Sequence, residues 1–329
     1  MNSENIFPII VTVLAMIAVF IFVTSVLSIL LFFLSFGMFG FFNSCKRKKR
    51  DSIERNDYCG GKTIPDDARV TLAECRAWID ESTGEDIYIR SYDRLKLHGK
   101  LIQHNDKAKG LVIFFHGYHS SCRRDLAIQS KGIFDDGYDI LLVSQRGHGK
   151  SGGQFLTFGI KERRDALSWS KYAAHRFPDT PIALMGLSMG GATVAMASEL
   201  ALPDSVKCII DDCGFTSPFA ITKNTIANTA HIPPYPTIWF MEMCCILIGG
   251  FSLYRISVPR ALEKNTRPLL IIHGELDRYV PTEMSLKNAS IKPDITELVI
   301  VPSAKHAQSV YYDRDGYIRA VTDFLGKHL

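Results

Sequence analysis

Thr180-Pro-Ile-Ala-Leu-Met-Gly-Leu-Ser-Met-Gly-Gly-Ala-Thr-Val-Ala-Met-Ala-Ser198 joins two apolar runs through a glycine-flanked serine. Residues 182–185 have the length of a strand and lie between Pro181 and Gly186. Residues 192–202 contain neither Pro nor Gly and are rich in Ala and Met, the composition of a buried helix. Between them, Gly186-Leu187-Ser188-Met189-Gly190 is a G-x-S-x-G pattern. A strand that turns straight into a helix forces its corner residue into a strained backbone conformation. Glycines two positions either side let strand and helix approach closely enough for that corner to form. Ser188 is then expected at the carboxyl end of a sheet, with a helix N-terminus behind it that favours negative charge.

On either side of this turn the chain alternates strands with helices. Residues 110–117, Gly-Leu-Val-Ile-Phe-Phe-His-Gly, form a continuous apolar run, as in a strand covered on both faces. Further strands are expected at 139–144, 206–211, 269–273 and 298–302, and helices at 123–134, 161–176, 189–202 and 312–329. Residues 86–91 and 95–103 flank Asp93-Arg94 and predict an antiparallel hairpin at the sheet edge. Alternation at this spacing implies right-handed crossovers and a mostly parallel sheet. Residues 214–265 break the pattern with helical and Pro-rich pieces around an apolar stretch, 237–254. Glu242 and Gly249-Gly250 argue against that stretch as a membrane span.

A serine hydroxyl becomes a useful nucleophile when a base takes its proton and a carboxylate orients the base. Asp277 follows the apolar run 269–272, and His306 follows the next one, so acid and base come after Ser188 in that order. Glu275 and the pair Asp211-Asp212 are the competing carboxylates. The triad expected is Ser188, His306 and Asp277.

These residues, with the contexts Gly274 to Pro281 and His116-Gly117, make the chain resemble the α/β-hydrolases over residues 85–329. The resemblance is to the serine aminopeptidase and monoacylglycerol-lipase-like branch. It implies an α/β-hydrolase fold with helices on both faces of the sheet, a helical cap at 214–265, and no cofactor or metal. It also implies an oxyanion hole built from the backbone N–H groups of Met189 and Tyr118. His116 is then a loop support, and Arg146-Gly-His-Gly-Lys-Ser-Gly-Gly153 a structural loop, since it lacks the spacing of a phosphate cradle.

Residues 6–42 contain no charged side chain, more than a bilayer core requires, so residues 1–44 are expected to be a transmembrane anchor. A cleaved signal peptide fits less well: Met1 to Asn5 carry no Lys or Arg and the apolar stretch is too long. Residues 45–84 are expected to be a basic juxtamembrane segment and linker. Lys46, Arg47, Lys48, Lys49 and Arg50 account for more than the whole net charge of +4. The basic run therefore belongs beside a membrane, not on a nucleic-acid-binding face, and it predicts a single-pass protein with its catalytic domain in the cytoplasm. The eight cysteines show no metal spacing and are expected to be free thiols. Together these features predict a membrane-anchored serine hydrolase that takes a small-molecule acyl ester or thioester and contacts membrane lipid through its N-terminal helix. A peptidase or amidase of the same fold, and a binding protein without turnover, are the alternatives.

Overall fold

Eight strands share one sheet in the order β1-β2-β4-β3-β5-β6-β7-β8. They are β1 (Glu85–Arg90), β2 (Lys96–Ile102), β3 (Leu111–Phe115), β4 (Asp139–Ser144), β5 (Ile182–Leu187), β6 (Val206–Asp212), β7 (Leu269–Gly274) and β8 (Thr296–Val301). The computed structural model describes residues 3–48, 64–228 and 231–329. β1 and β2 form an antiparallel edge hairpin, β2 pairs antiparallel with β4, and β4 through β8 run parallel. β3, β5 and β7 are buried at every position, which explains their unbroken apolar sequence: helices cover both faces.

Alternate side chains divide between two cores. Ile113, Leu141 and Leu184 pack with Trp169 and Met196, from helices Glu162–Arg176 and Met189–Ala197. Val112, Phe114 and Ile210 pack with Leu72, Ile133 and Phe324, from helices Asp66–Glu81, Ala127–Asp135 and Arg314–His328. The chain leaves β3 toward β4 on one side and later places β5 on the other. This reversal opens a crevice at the carboxyl ends of β3 and β5, where open α/β sheets hold their ligands.

Several elements differ from the sequence expectation. Helix Asp66–Glu81 lies within the stretch expected to be linker. Its residues Ala68, Leu72, Cys75 and Ile79 are buried, and Trp78 packs on Phe134 with ring centroids 5.2 Å apart. Each large side chain buried this way contributes about 1.5–3 kcal/mol, so this segment is part of the domain. Most of the remaining expected linker, with Lys49, Arg50 and Cys59, lies outside the described residues. The helix expected at 123–134 breaks at Leu126. The helix after Ser188 stops at Ala197, and Glu283–Ala289 forms a helix that the sequence reading did not include. Between β6 and β7 the chain forms helices Pro218–Asn228, Thr237–Cys244 and Val258–Leu262, with a π-helical turn at Cys245–Gly249. The seven described cysteines are free thiols.

The N-terminal helix Ser3–Cys45 is continuous over 43 residues. Residues 7–32 are exposed along their length, but the last three turns dock on the domain: Gly37, Phe41 and Cys45 are buried. A Cβ at Gly37 would collide with the backbone of Phe240, so only glycine permits this helix crossing. Beyond the helix, Arg47 donates to the carbonyls of Ser151 and Gly149, and Lys46 forms an antiparallel bridge with Phe155.

Candidate active site

Ser188 stands at the corner between β5 and its helix with φ 56° and ψ −112°, the strained turn that the sequence predicted. Two glycines make it possible. A Cβ at Gly186 would overlap the Gly190 carbonyl, and one at Gly190 would overlap the Phe115 carbonyl. The Ser188 N–H donates to the Asp212 carbonyl at 2.7 Å, which fastens the corner to the neighbouring strand.

The turn presents the Ser188 hydroxyl 2.9 Å from His306 Nε2. His306 Nδ1 lies 2.7 Å from Asp277 Oδ2. The other carboxylate oxygen, Oδ1, accepts from the backbone N–H groups of Tyr279 and Val280, each at 2.9 Å. Burial alone would raise the Asp277 pKa, but His306 and His273 more than offset it and hold the carboxyl at about 2. A permanently charged acceptor on Nδ1 leaves Nε2 free to take a proton from the serine. The structure therefore brings Ser188, His306 and Asp277 into one hydrogen-bonded line.

His273 was missing from the sequence reading. It is the penultimate residue of β7, fully buried, with Nε2 3.0 Å from Asp277 Oδ2 and 2.9 Å from the Val280 carbonyl. Both partners are acceptors, so Nε2 carries the proton. Nδ1 meets the Ser285 hydroxyl at 2.6 Å. Burial disfavours the cation, yet the hydrogen bond and charge of Asp277 raise the His273 pKa overall. A histidine four residues before the acid, at a strand end, was the signal available in the sequence.

The competing carboxylates are engaged elsewhere. Asp212 Oδ2 accepts from the Tyr317 hydroxyl at 2.6 Å, Asp211 Oδ1 from the Gly214 N–H at 2.9 Å, and Glu275 from the Ser303 N–H at 3.1 Å. His116 is held at both nitrogens. Its Nε2 accepts from the Gln145 N–H at 3.1 Å, so Nδ1 is the donor to the Gly117 carbonyl at 2.8 Å. Burial lowers its pKa to about 4 and that of His148 to about 3, so both are neutral loop supports. Arg146 is clamped between Asp165 and Asp93.

Tyr118 and Met189 both line the cavity over Ser188, beside the switch point. Gly117 N–H is committed to Asp125 Oδ2 at 2.9 Å, and the Tyr118 hydroxyl donates to the Ser44 carbonyl of the N-terminal helix at 2.9 Å. The cavity has a volume of about 290 Å³ and its other walls are mainly apolar, among them Phe158, Phe215, Ile221, Ile226 and Met241. The apolar stretch 237–254 contributes little to it. Only Thr237 and Met241 of that stretch reach the cavity, while Trp239, Met243, Ile246, Leu247 and Ile248 face outward. A wider groove of about 770 Å³ between helices Asp66–Glu81 and Arg314–His328 shares no residue with the Ser188 cavity.

Cys213 Sγ, Asp277 and His306 bring donor atoms within 4.8 Å of one another. Burial pushes the Cys213 thiol well above its usual value, and both other donors are already paired. A neutral thiol in that setting is a poor metal ligand.

Sheet order, the strained serine turn and the site at the switch point define a class of architecture: the chain has the α/β-hydrolase fold. Residues 106–229 match the family described as serine aminopeptidase, S33. Among curated relatives, the Bacillus subtilis protein YqkD is 26% identical over 219 residues, covering 65% of this chain and 70% of its own. Human ABHD12B is 26% identical over 230 residues, covering 66% of this chain and 60% of its own. The Pyrococcus furiosus esterase Pf2001 superposes with a TM-score of 0.62 at 22% identity, covering 82% of this chain and 95% of that one. Est1E from Butyrivibrio proteoclasticus, solved with ferulic acid, gives 0.56 at 24% identity over 73% and 98%. At these identities the structural likenesses establish the fold.

Proposed function

We propose that the chain is a membrane-anchored serine hydrolase that cleaves a carboxylic ester or thioester through an acyl-enzyme on Ser188. The observation that carries this is the line from Ser188 Oγ through His306 to Asp277, at 2.9 and 2.7 Å, opening into an apolar cavity. His306 Nε2 takes the hydroxyl proton as Oγ bonds to the acyl carbon. The carbonyl oxygen gains negative charge between the N–H groups of Met189 and Tyr118. As the carbon–oxygen or carbon–sulfur bond breaks, His306 returns the proton to the leaving group. Water then repeats the sequence in reverse roles, releasing the acid and the free serine.

The lining supports an acyl group over a peptide N-terminus. No Asp or Glu is among the described residues of the cavity wall, whereas an aminopeptidase needs an anion to hold the substrate ammonium. The N-terminal helix supports the anchor. Phe41 and Cys45 belong to the main core, so cleavage as a leader would strip the domain of part of its packing. The basic residues that follow support a cytoplasmic domain.

The test is labelling with a fluorophosphonate, which reacts with activated serines. The wild type should label once, and Ser188→Ala should abolish labelling and lower ester turnover by ~10⁴-fold or more. Normal labelling of the Ala variant would refute the assignment.

A further inference from the structure

The proposed anchor does not merely tether the domain. Its free part, residues 7–32, is 26 residues of exposed apolar helix. At about 1.5 Å per residue that is long enough to cross a hydrocarbon core of about 30 Å by itself. The last three turns are therefore available for another role, and the structure gives them one. Phe36, Phe39, Gly40, Asn43 and Ser44 line the cavity over Ser188. They are held there by the Phe33–Phe240 ring stack, the buried Phe41 and the Tyr118 hydrogen bond to Ser44.

The neighbouring helix Thr237–Cys244 and its π-helical extension continue the same surface. One side meets the anchor at Gly37 and the cavity at Met241. The other presents Trp239, Ile246, Leu247 and Ile248 at 60%, 51%, 76% and 44% exposure. The single charged residue of this segment, Glu242, is turned inward, accepting from the Ser252 hydroxyl and the Leu253 N–H. An uncharged apolar face of this size beside a membrane-length helix calls for hydrocarbon against it.

We infer that the anchor's last three turns are a wall of the acyl site and that the cap segment 237–249 is sunk in the same leaflet. The acyl chain of a bilayer lipid then reaches Ser188 from the hydrocarbon rather than from water. This rests on the serine hydrolase reading for its chemistry, though not for its membrane geometry. A cavity of about 290 Å³ stands at the small end of the ligand-site range of ~300–1,000 Å³. It admits one acyl chain while the rest of the lipid stays in the bilayer. The anchor thus selects the substrate as well as the location.

Two measurements on the full chain in phosphatidylcholine vesicles test this. The first needs no activity. Brominated acyl chains should quench the part of the tryptophan fluorescence that Trp239→Phe removes, and an unquenched Trp239 overturns the leaflet placement. The second compares a vesicle-borne dodecanoyl ester with soluble p-nitrophenyl acetate. Leu247→Lys with Ile246→Lys should lower the first activity at least ten-fold and leave the second unchanged. Gly40→Ala should be tolerated, because its Cβ would meet only Met241 Sδ at 3.6 Å. Gly40→Leu should intrude on the cavity, so that its dodecanoyl-to-acetate ratio falls at least ten-fold while fluorophosphonate labelling confirms the fold. An unchanged ratio in the Leu variant overturns the wall assignment. Quenching without hydrolysis of any ester would sink the serine hydrolase reading and leave the membrane geometry standing.

Discussion

Asp277 Oδ2 is shared by two histidines, His306 Nδ1 at 2.7 Å and His273 Nε2 at 3.0 Å. One of them faces the serine and the other is sealed in the core. His273 is a positioning residue: it fixes the carboxylate from behind, with Ser285 and the Val280 carbonyl fixing it in turn. It also competes for the charge that orients His306.

Replacing it should be visible in two ways. His273→Phe should lower ester kcat/KM by roughly 10-fold, the scale of a lost buried hydrogen bond to a charged group. The loss should fall on kcat rather than KM, because His273 reaches the serine only through Asp277 and does not line the cavity. His273→Gln, which can still donate, should restore much of the activity. A His273→Gln variant as impaired as His273→Phe would mean a packing role alone.

The assignment of the acid predicts a ranking. Asp277→Asn should cost ~10⁴-fold in kcat, the loss seen when a triad aspartate becomes an amide and the wrong histidine tautomer is held. Asp212→Asn should be far milder, since its carboxylate meets Tyr317 and not His306 Nδ1. Single-turnover assays on both variants check the order, and the reverse order would move the acid to the end of β6.

These two carboxylates also illustrate what the sequence made legible. The strand at 139–144 falls where expected, because a short apolar run between polar breakers has the length of a covered strand and falls short of a helix. The serine corner was legible because glycine spacing reports a steric requirement directly. Helix Asp66–Glu81 was hidden by Gly60-Gly61 and Pro65 next to it, although Ala68, Leu72, Cys75 and Ile79 form a helical stripe and Asp66 and Asp67 open it. The outward turn of Trp239 and Leu247 could not be read at all, since apolarity does not say whether a residue faces a cavity or a membrane. Nor could the docking of residues 33–45, which look like the rest of the span apart from Gly37 and Gly40.

Membrane orientation is open to a direct measurement. Lys46, Arg47 and Lys48 follow the apolar helix and residues 1–6 contain no basic side chain, which predicts a cytoplasmic domain. A C-terminal fusion to a reporter active only in the cytoplasm should be active, and one active only outside should be silent. The opposite pattern would reverse the topology and place the seven described thiols in an oxidising compartment.

The last prediction concerns stability and pH. Burial pushes the Asp211 carboxyl up to about 7 and Asp212 to about 6, against an unfolded value near ~3.9. Between those values the folded chain keeps a proton that the unfolded chain has released, so this contribution to stability falls as pH rises through the window. The buried histidines His116, His119 and His148, lowered by burial to about 4, 3 and 3, act in the opposite sense. Their contribution is full above the unfolded histidine value near ~6.5 and shrinks as pH falls toward 4. The total slope therefore mixes both, and the informative quantity is a difference. Asp211→Asn removes one titration and keeps the acceptor for the Gly214 N–H. Its stability relative to wild type, from urea midpoints, should improve steadily between pH 4.5 and 7, by up to about 1.4 kcal/mol per pH unit. A difference that stays constant over that range would mean that Asp211 is charged throughout and that some partner compensates its burial.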